Sequence, residues 1–106
     1  MRNFHTTGNY FQGIGATMTI GKGTMIAPGV GLITANHDFS DVHSNQPGKP
    51  IVLGENCWIA MNAMVLPGVT LGPYTMVGAG AVVTKSFPEG HCVLVGNPAR
   101  KIRDLE

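Results

Sequence analysis

Four histidines stand at positions 5, 37, 43 and 91, and one of them sits where the pattern of the chain changes. His37 closes the stretch LITANH (residues 32–37) and is followed by DFSDVHSNQPGKP (residues 38–50). An imidazole titrates near neutral pH, so a neutral histidine can take a proton from an attacking hydroxyl or amine. Asn36 or a backbone amide is a candidate to orient the ring or a developing oxyanion. Asp38 and Asp41 are candidates for steadying an imidazolium, although solvated loop carboxylates are the plainer reading. His43 is a second candidate, on the acceptor side. His5 and His91 lack such a context and read as surface residues. The two cysteines, Cys57 and Cys92, are 35 positions apart and match no zinc or redox spacing. No metal site is expected. Arg100, Lys101 and Arg103 fall within the last seven positions and leave room for a local anion site.

The elements that must position these groups show in a repeat. Aliphatic residues recur every six positions at Ile14, Ile20, Ile26 and Leu32, and again at Leu53, Ile59, Val65, Leu71, Val77 and Val83. Val95 returns in phase after a missed beat at Glu89. The following position is small at Gly15, Gly21, Ala27, Gly54, Ala60, Gly72, Gly78 and Gly96. Four places after eight of the aliphatics stand Met18, Thr24, Val30, Cys57, Ala63, Val69, Thr75 and Ala81. A period of six fits neither an amphipathic helix nor an alternating hairpin strand. It fits a short strand and a turn, repeated, with aliphatics stacked on aliphatics into a continuous core. Neighbouring coils would then hydrogen-bond at ~4.8 Å. The expected fold is an all-β helix of hexapeptide repeats with one projecting loop, about 38–50.

Phase assigns directions. The first and fifth places point inward, so Cys57 is expected to be a core thiol. The sixth place points outward or lies at a corner, and His37 and Trp58 both occupy it.

Size and composition bound the function. The 106 residues make one domain, 1–106. Seven Lys/Arg against six Asp/Glu give a net charge of +1, which argues against a nucleic-acid partner. Charged residues are only 12%, yet no apolar run approaches the roughly 18 residues of a membrane span. MRNFHTTGNY has no apolar signal core. Reduced thiols in a cytoplasmic protein are expected.

The stretches IGKGTMIAPGV, LGENCWIAMNAMVLPGVTLG, VGAGAVVTK and VGNPARKIR resemble the hexapeptide-repeat acyltransferases, within them the maltose, galactoside and polysaccharide O-acetyltransferase branch. The resemblance covers roughly residues 13–104. It implies a left-handed parallel β-helix, three hexapeptides to a triangular coil, and a homotrimer with active sites between subunits. The implied reaction moves an acetyl group from acetyl-CoA to a hydroxyl, with a sugar hydroxyl the first choice and an amino sugar the second. His37 is implied as general base for direct transfer, with no acyl-enzyme. The implied acetyl-CoA contacts are Ala60, Met61, Gly78, Ala79, Thr84 and Lys85, with Arg100 and Arg103 suited to its phosphates. Met61 and Ala60 depart from the commoner residues at their places. Trp58 has two readings, a subunit-interface aromatic or a wall of the acceptor pocket.

Two rivals remain at this stage. A γ-type carbonic anhydrase shares the scaffold, but it needs three zinc-binding histidines and a pair spaced by four residues; His37 and His43 are spaced by five. A non-catalytic β-helix, serving as scaffold or ligand-binding module, predicts tolerance of any residue at position 37. The maltose-type enzymes carry a further N-terminal segment that helps hold the acceptor, whereas here the repeat starts almost at once. The acceptor would then be held by the loop and the adjacent subunit, unless the chain is trimmed.

Overall fold

The computed structural model describes residues 10–13, 16–35, 37–38, 41–45 and 47–105. Among them the chain forms short strands and no helix. In chain order these are β1 (Tyr10–Gln12), β2 (Met18–Ile20), β3 (Met25–Ile26), β4 (Gly31–Ile33), β5 (His37–Asp38), β6 (Asp41–Asn45) and β7 (Ile51–Leu53). They continue as β8 (Trp58–Ile59), β9 (Met64–Val65), β10 (Thr70–Leu71), β11 (Thr75–Val77), β12 (Val82–Val83), β13 (Cys92–Gly96) and β14 (Ala99–Asp104).

The strands of the repeat are short because the chain turns soon after each inward aliphatic. Three parallel sheets result, and they are the faces of a prism. Face I holds β2, β7 and β10; face II holds β3, β8, β11 and β13, with β14 at its edge; face III holds β1, β4, β9 and β12. The chain visits I, II and III in rotation. Leu53 and Leu71, Ile59 and Val77, and Val65 and Val83 are register partners, each pair eighteen positions apart. Three hexapeptides therefore make one coil, the triangle that the resemblance implies.

The interior follows the repeat. Ile26, Leu32, Leu53, Ile59, Val65, Leu71, Val77 and Val83 are buried, as are the fifth-place residues Thr24, Val30, Cys57, Ala63, Val69, Thr75 and Ala81. The small second places have a steric reason. A Cβ on Gly54 would lie 2.6 Å from the nitrogen of Pro73, and one on Gly72 would collide with the Pro88 carbonyl oxygen. At these two corners the neighbouring coil leaves no room for a side chain.

Three expectations need correction. At the last coil the buried stacking partner of Val77 is Leu94, and Val95 is only half-buried. The missed beat is filled earlier: Phe87, not residue 89, bridges to Leu71, so the coil closes two residues short and the phase shifts. At the other end Phe11 pairs with Leu32, twenty-one positions away rather than eighteen, and Phe11 packs against the core. Ile14, where the repeat was expected to start, lies outside the described residues.

The loop expected over 38–50 contains a small antiparallel sheet. β5 and β6 pair, with His37 opposite Asn45 and Asp38 opposite Asp41. At the far end β14 folds back antiparallel on β13 and caps face II. No helix among the described residues is long and apolar enough to cross a membrane.

Candidate active site

The pause in the repeat is a measurable insertion. Ile20 and Leu53, Ile26 and Ile59, and Leu32 and Val65 are partners thirty-three positions apart, so this one coil carries fifteen extra residues. The insertion falls between β4 and β7, at the corner between faces III and I. The coil is resealed beneath it: the amide of Lys49 donates to the Thr34 carbonyl at 2.8 Å, and the amide of Gly68 donates to the Lys49 carbonyl at 3.3 Å. The main chain of His37 thus stands three residues past a sealed corner, at the base of a hairpin. The side chains of His37 and His43, and all of Asn36, lie outside the described residues.

The same corner continues along the prism axis. In the next coil it is Pro67–Gly68, and in the one after it is Thr84, Lys85 and Ser86. Thr84 and Lys85 are exposed. The Ser86 hydroxyl fixes this turn, accepting from the Thr70 amide at 2.8 Å and donating to the Gly68 carbonyl at 3.4 Å. The Lys85 ammonium stands 5.6 Å from the centre of the Phe87 ring, a cation–π contact that orients it.

The other expected donor contacts fall on a different edge, the corner between faces II and III. Ala60 begins this turn in one coil and Met61 is exposed at its tip; Gly78 and Ala79 occupy the equivalent places in the next coil. The Gly80 amide donates to the Met61 carbonyl at 2.9 Å, which stacks the two turns. Arg100 joins them. It is the register partner of Val95, whose Cγ1 would lie 2.9 Å from a Cβ at Gly78. Arg103 sits apart, opposite Val93 on face II.

The expected site residues are therefore not one cluster within a chain. Ala60, Met61, Gly78, Ala79 and Arg100 share one corner; Thr84, Lys85 and the hairpin base share another. Between the two corners lies the outer surface of face III, where Gly31, Met64 and Val82 are register partners. Met64 and Val82 are half-buried, and nothing in the hexapeptide pattern marks them except their outward sixth place. Lys49 and Gly68 were also missed. Their signal was present, in GKP at the point where aliphatics resume and in PGV, which recurs at 28–30 and 67–69.

Trp58 points outward as its phase requires and is 50% exposed. It lies in register with Met25 on one side and Met76 on the other, and Met76 with Val93. Face II thus carries an outward apolar file, with Arg103 at its end.

Cys57 is 1% exposed, and its Sγ donates to the Gly72 carbonyl at 3.2 Å. Burial pushes its thiol above its ordinary range, so it is a poor nucleophile. Its expected structural role holds. His91 is exposed, and its ring packs on Tyr74 with centroids 5.1 Å apart. No group of three metal-ligating side chains occurs among the described residues.

Known proteins share this fold. Residues 50–85 match the family model described as bacterial transferase hexapeptide, six repeats. Over 94 residues, 86% of this chain and 45% of the relative, the sequence is 47% identical to a Schizosaccharomyces pombe protein named as an acetyltransferase. A galactoside acetyltransferase solved in complex with coenzyme A superposes with a TM-score of 0.80 at 36% identity, over 86% of this chain and 46% of that one. A hexapeptide-repeat acetyltransferase of Vibrio cholerae solved with acetyl coenzyme A gives 0.85 at 30% identity, over 96% and 58%. The chain spans about half the length of the curated relatives it matches. With its eighteen-residue coils, stacked aliphatics and this shared fold, the chain belongs to the hexapeptide-repeat acyltransferases, in the galactoside and maltose acetyltransferase branch, and is a left-handed parallel β-helix.

Proposed function

We propose that this protein moves an acetyl group from acetyl-CoA to a hydroxyl of a sugar or polysaccharide unit, with His37 as general base. The observation that carries the reading is the fifteen-residue insertion at one corner of an otherwise regular prism, with His37 at its base. Relatives solved with coenzyme A and acetyl coenzyme A support the donor, and the galactoside acetyltransferase among them supports a sugar acceptor.

The chemistry follows from the residues. The acceptor hydroxyl gives its proton to the His37 imidazole as its oxygen bonds to the thioester carbonyl carbon. The tetrahedral intermediate then collapses, the C–S bond breaks, and the departing sulfur takes the proton back from the imidazolium. The products are an acetyl ester and free CoA. The buried, poorly ionised thiol of Cys57 agrees with direct transfer rather than an acyl-enzyme.

Ala60, Met61, Gly78 and Ala79 on one corner and Thr84 and Lys85 on the other would each meet the donor. One acetyl-CoA can touch both sets by crossing the outer surface of face III over Met64 and Val82. Alternatively, two subunits of a homotrimer supply one set each. Arg100 and Arg103 offer planar guanidinium groups for the phosphates. Asn36, His43 and Trp58 are assigned to the acceptor side. We take residues 1–106 as a single β-helix domain and place the reaction in the cytoplasm.

The test is thiol release from acetyl-CoA with a panel of sugars and amines. His37→Ala should lower turnover ~10²–10⁴-fold while leaving CoA affinity nearly unchanged. Full turnover in that variant would remove the mechanism, and absence of thiol release by the unaltered protein with every acceptor would favour a non-catalytic scaffold.

A further inference from the structure

Lys49 is the residue at which the inserted hairpin is tied back to the prism, and the proposed function leaves it without a role. Its amide donates to the Thr34 carbonyl, the last turn before the insertion, at 2.8 Å. Its carbonyl accepts from the Gly68 amide of the next coil at 3.3 Å. Its side chain then lies along that coil. A Cβ built on Gly68 would sit 3.3 Å from Lys49 Cδ and 3.4 Å from Lys49 Cβ. Gly68 has φ of +82°, the left-handed region where glycine is at ease, and its bare Cα leaves a shallow seat. The methylene stem of Lys49 occupies this seat while the residue as a whole stays exposed, which leaves the ammonium in water. No ion pair to Lys49 occurs among the described residues.

The geometry points to Lys49 as a positioning residue: its stem, seated on Gly68, sets the base of the hairpin and through it His37 against the donor corner. This rests on the proposed function, because it concerns the same general base. The physical reason is leverage. A two-stranded sheet is marginally stable by itself, so its anchorage to the rest of the fold matters. The Lys49 contacts fix where the segment re-enters the prism. Proton transfer between a base and an acceptor tolerates displacement poorly, and an error of about 1 Å can cost as much as ~10² in rate.

The experiment separates the stem from the charge. Lys49→Met keeps the stem and removes the charge; Lys49→Ala removes both. Two readouts apply: kcat and KM for acetyl-CoA, and amide exchange of residues 37–45. Lys49→Ala should lower kcat about tenfold with KM within about twofold, and hairpin amides should exchange faster. Lys49→Met should retain kcat within about twofold and the original exchange. If Lys49→Met instead loses as much as Lys49→Ala, with the loss in KM, the ammonium is a ligand contact and the positioning role is overturned. Unchanged kcat and exchange in Lys49→Ala overturn it as well. If the unaltered protein releases no thiol, the proposed function fails on its own. The exchange readout then still decides the anchor, since unchanged hairpin exchange in Lys49→Ala removes it.

Discussion

A file of small polar side chains runs inside one edge of the prism, where apolar groups would be expected. Thr24 Oγ1 donates to the Gly54 carbonyl at 2.7 Å and accepts from the Cys57 amide at 3.1 Å. Thr75 Oγ1 and Cys57 Sγ both donate to the Gly72 carbonyl, at 2.8 and 3.2 Å. Cys92 is the register partner of Thr75. The carbonyls of the obligatory glycines turn inward here, and hydroxyls and thiols satisfy them at little cost in volume. Both thiols must stay protonated to fit this edge. Burial is the largest cause that raises each of them above its ordinary value of 9.0. A thiol raised on folding stabilises the fold below the unfolded value, and that contribution is lost as pH climbs through the folded one. Thermal stability should therefore fall above about pH 9, measured as Tm against pH, and the double variant Cys57→Ala, Cys92→Ala should flatten the fall. An identical alkaline slope in the double variant would place the titration elsewhere. The inward position of Cys57 was legible in the sequence because the six-residue phase alone assigns it. The role of Cys92 was not, since it follows the coil whose phase slips.

That slip is an event at the scale of elements. From Leu53 to Val83 the aliphatic beat predicts each buried stacking residue on its face, because these coils spend the same number of residues on strands and turns. The last coil does not. Phe87 reaches face I two positions early, and a turn with Gly90 and His91 at φ of +67° and +50° follows. The chain then enters β13 one residue ahead of the beat. Val95 is aliphatic and in phase, so a count along the sequence selects it; the register selects Leu94, which is fully buried against Val77. The two assignments differ in energy. Leu94→Ala should cost ~2–5 kcal/mol in chemical denaturation, and Val95→Ala well under half of that. Equal losses would mean that the cap strand β14, which pairs with β13 throughout, governs this end and the stacking does not. The insertion behaved differently. Its place and length were legible because the beat stops and restarts, while the β5–β6 pairing was hidden in a polar segment without alternation.

At the scale of the whole molecule, a prism this slender exposes more than its size requires. Its extents are 44 × 27 × 20 Å and its accessible surface is 6202 Å², against about 5,700 Å² for a typical folded monomer of this mass. The excess is not covered by charge, since charged residues make up only 12% of the chain and the net charge is +1. Exposed apolar side chains cluster instead. Met25 and Trp58 lie on face II, and Met61 lies on the corner beside it, each at least half exposed. Surfaces of this kind bury themselves against another copy when no repulsion opposes it. The split of the proposed donor contacts over two corners gives the proposed assembly a functional reason, since a neighbouring prism can close the space between them. The proposed homotrimer would have a thermodynamic signature. Tm should rise over a hundredfold increase in protein concentration, and sedimentation at the upper end should give the mass of three chains. A single-chain mass with a concentration-independent Tm would force one prism to hold acetyl-CoA by itself. The ligand would then have to cross face III over Met64 and Val82, and Val82→Asp would weaken CoA binding, whereas an interfacial site that bypasses that face would leave it unchanged.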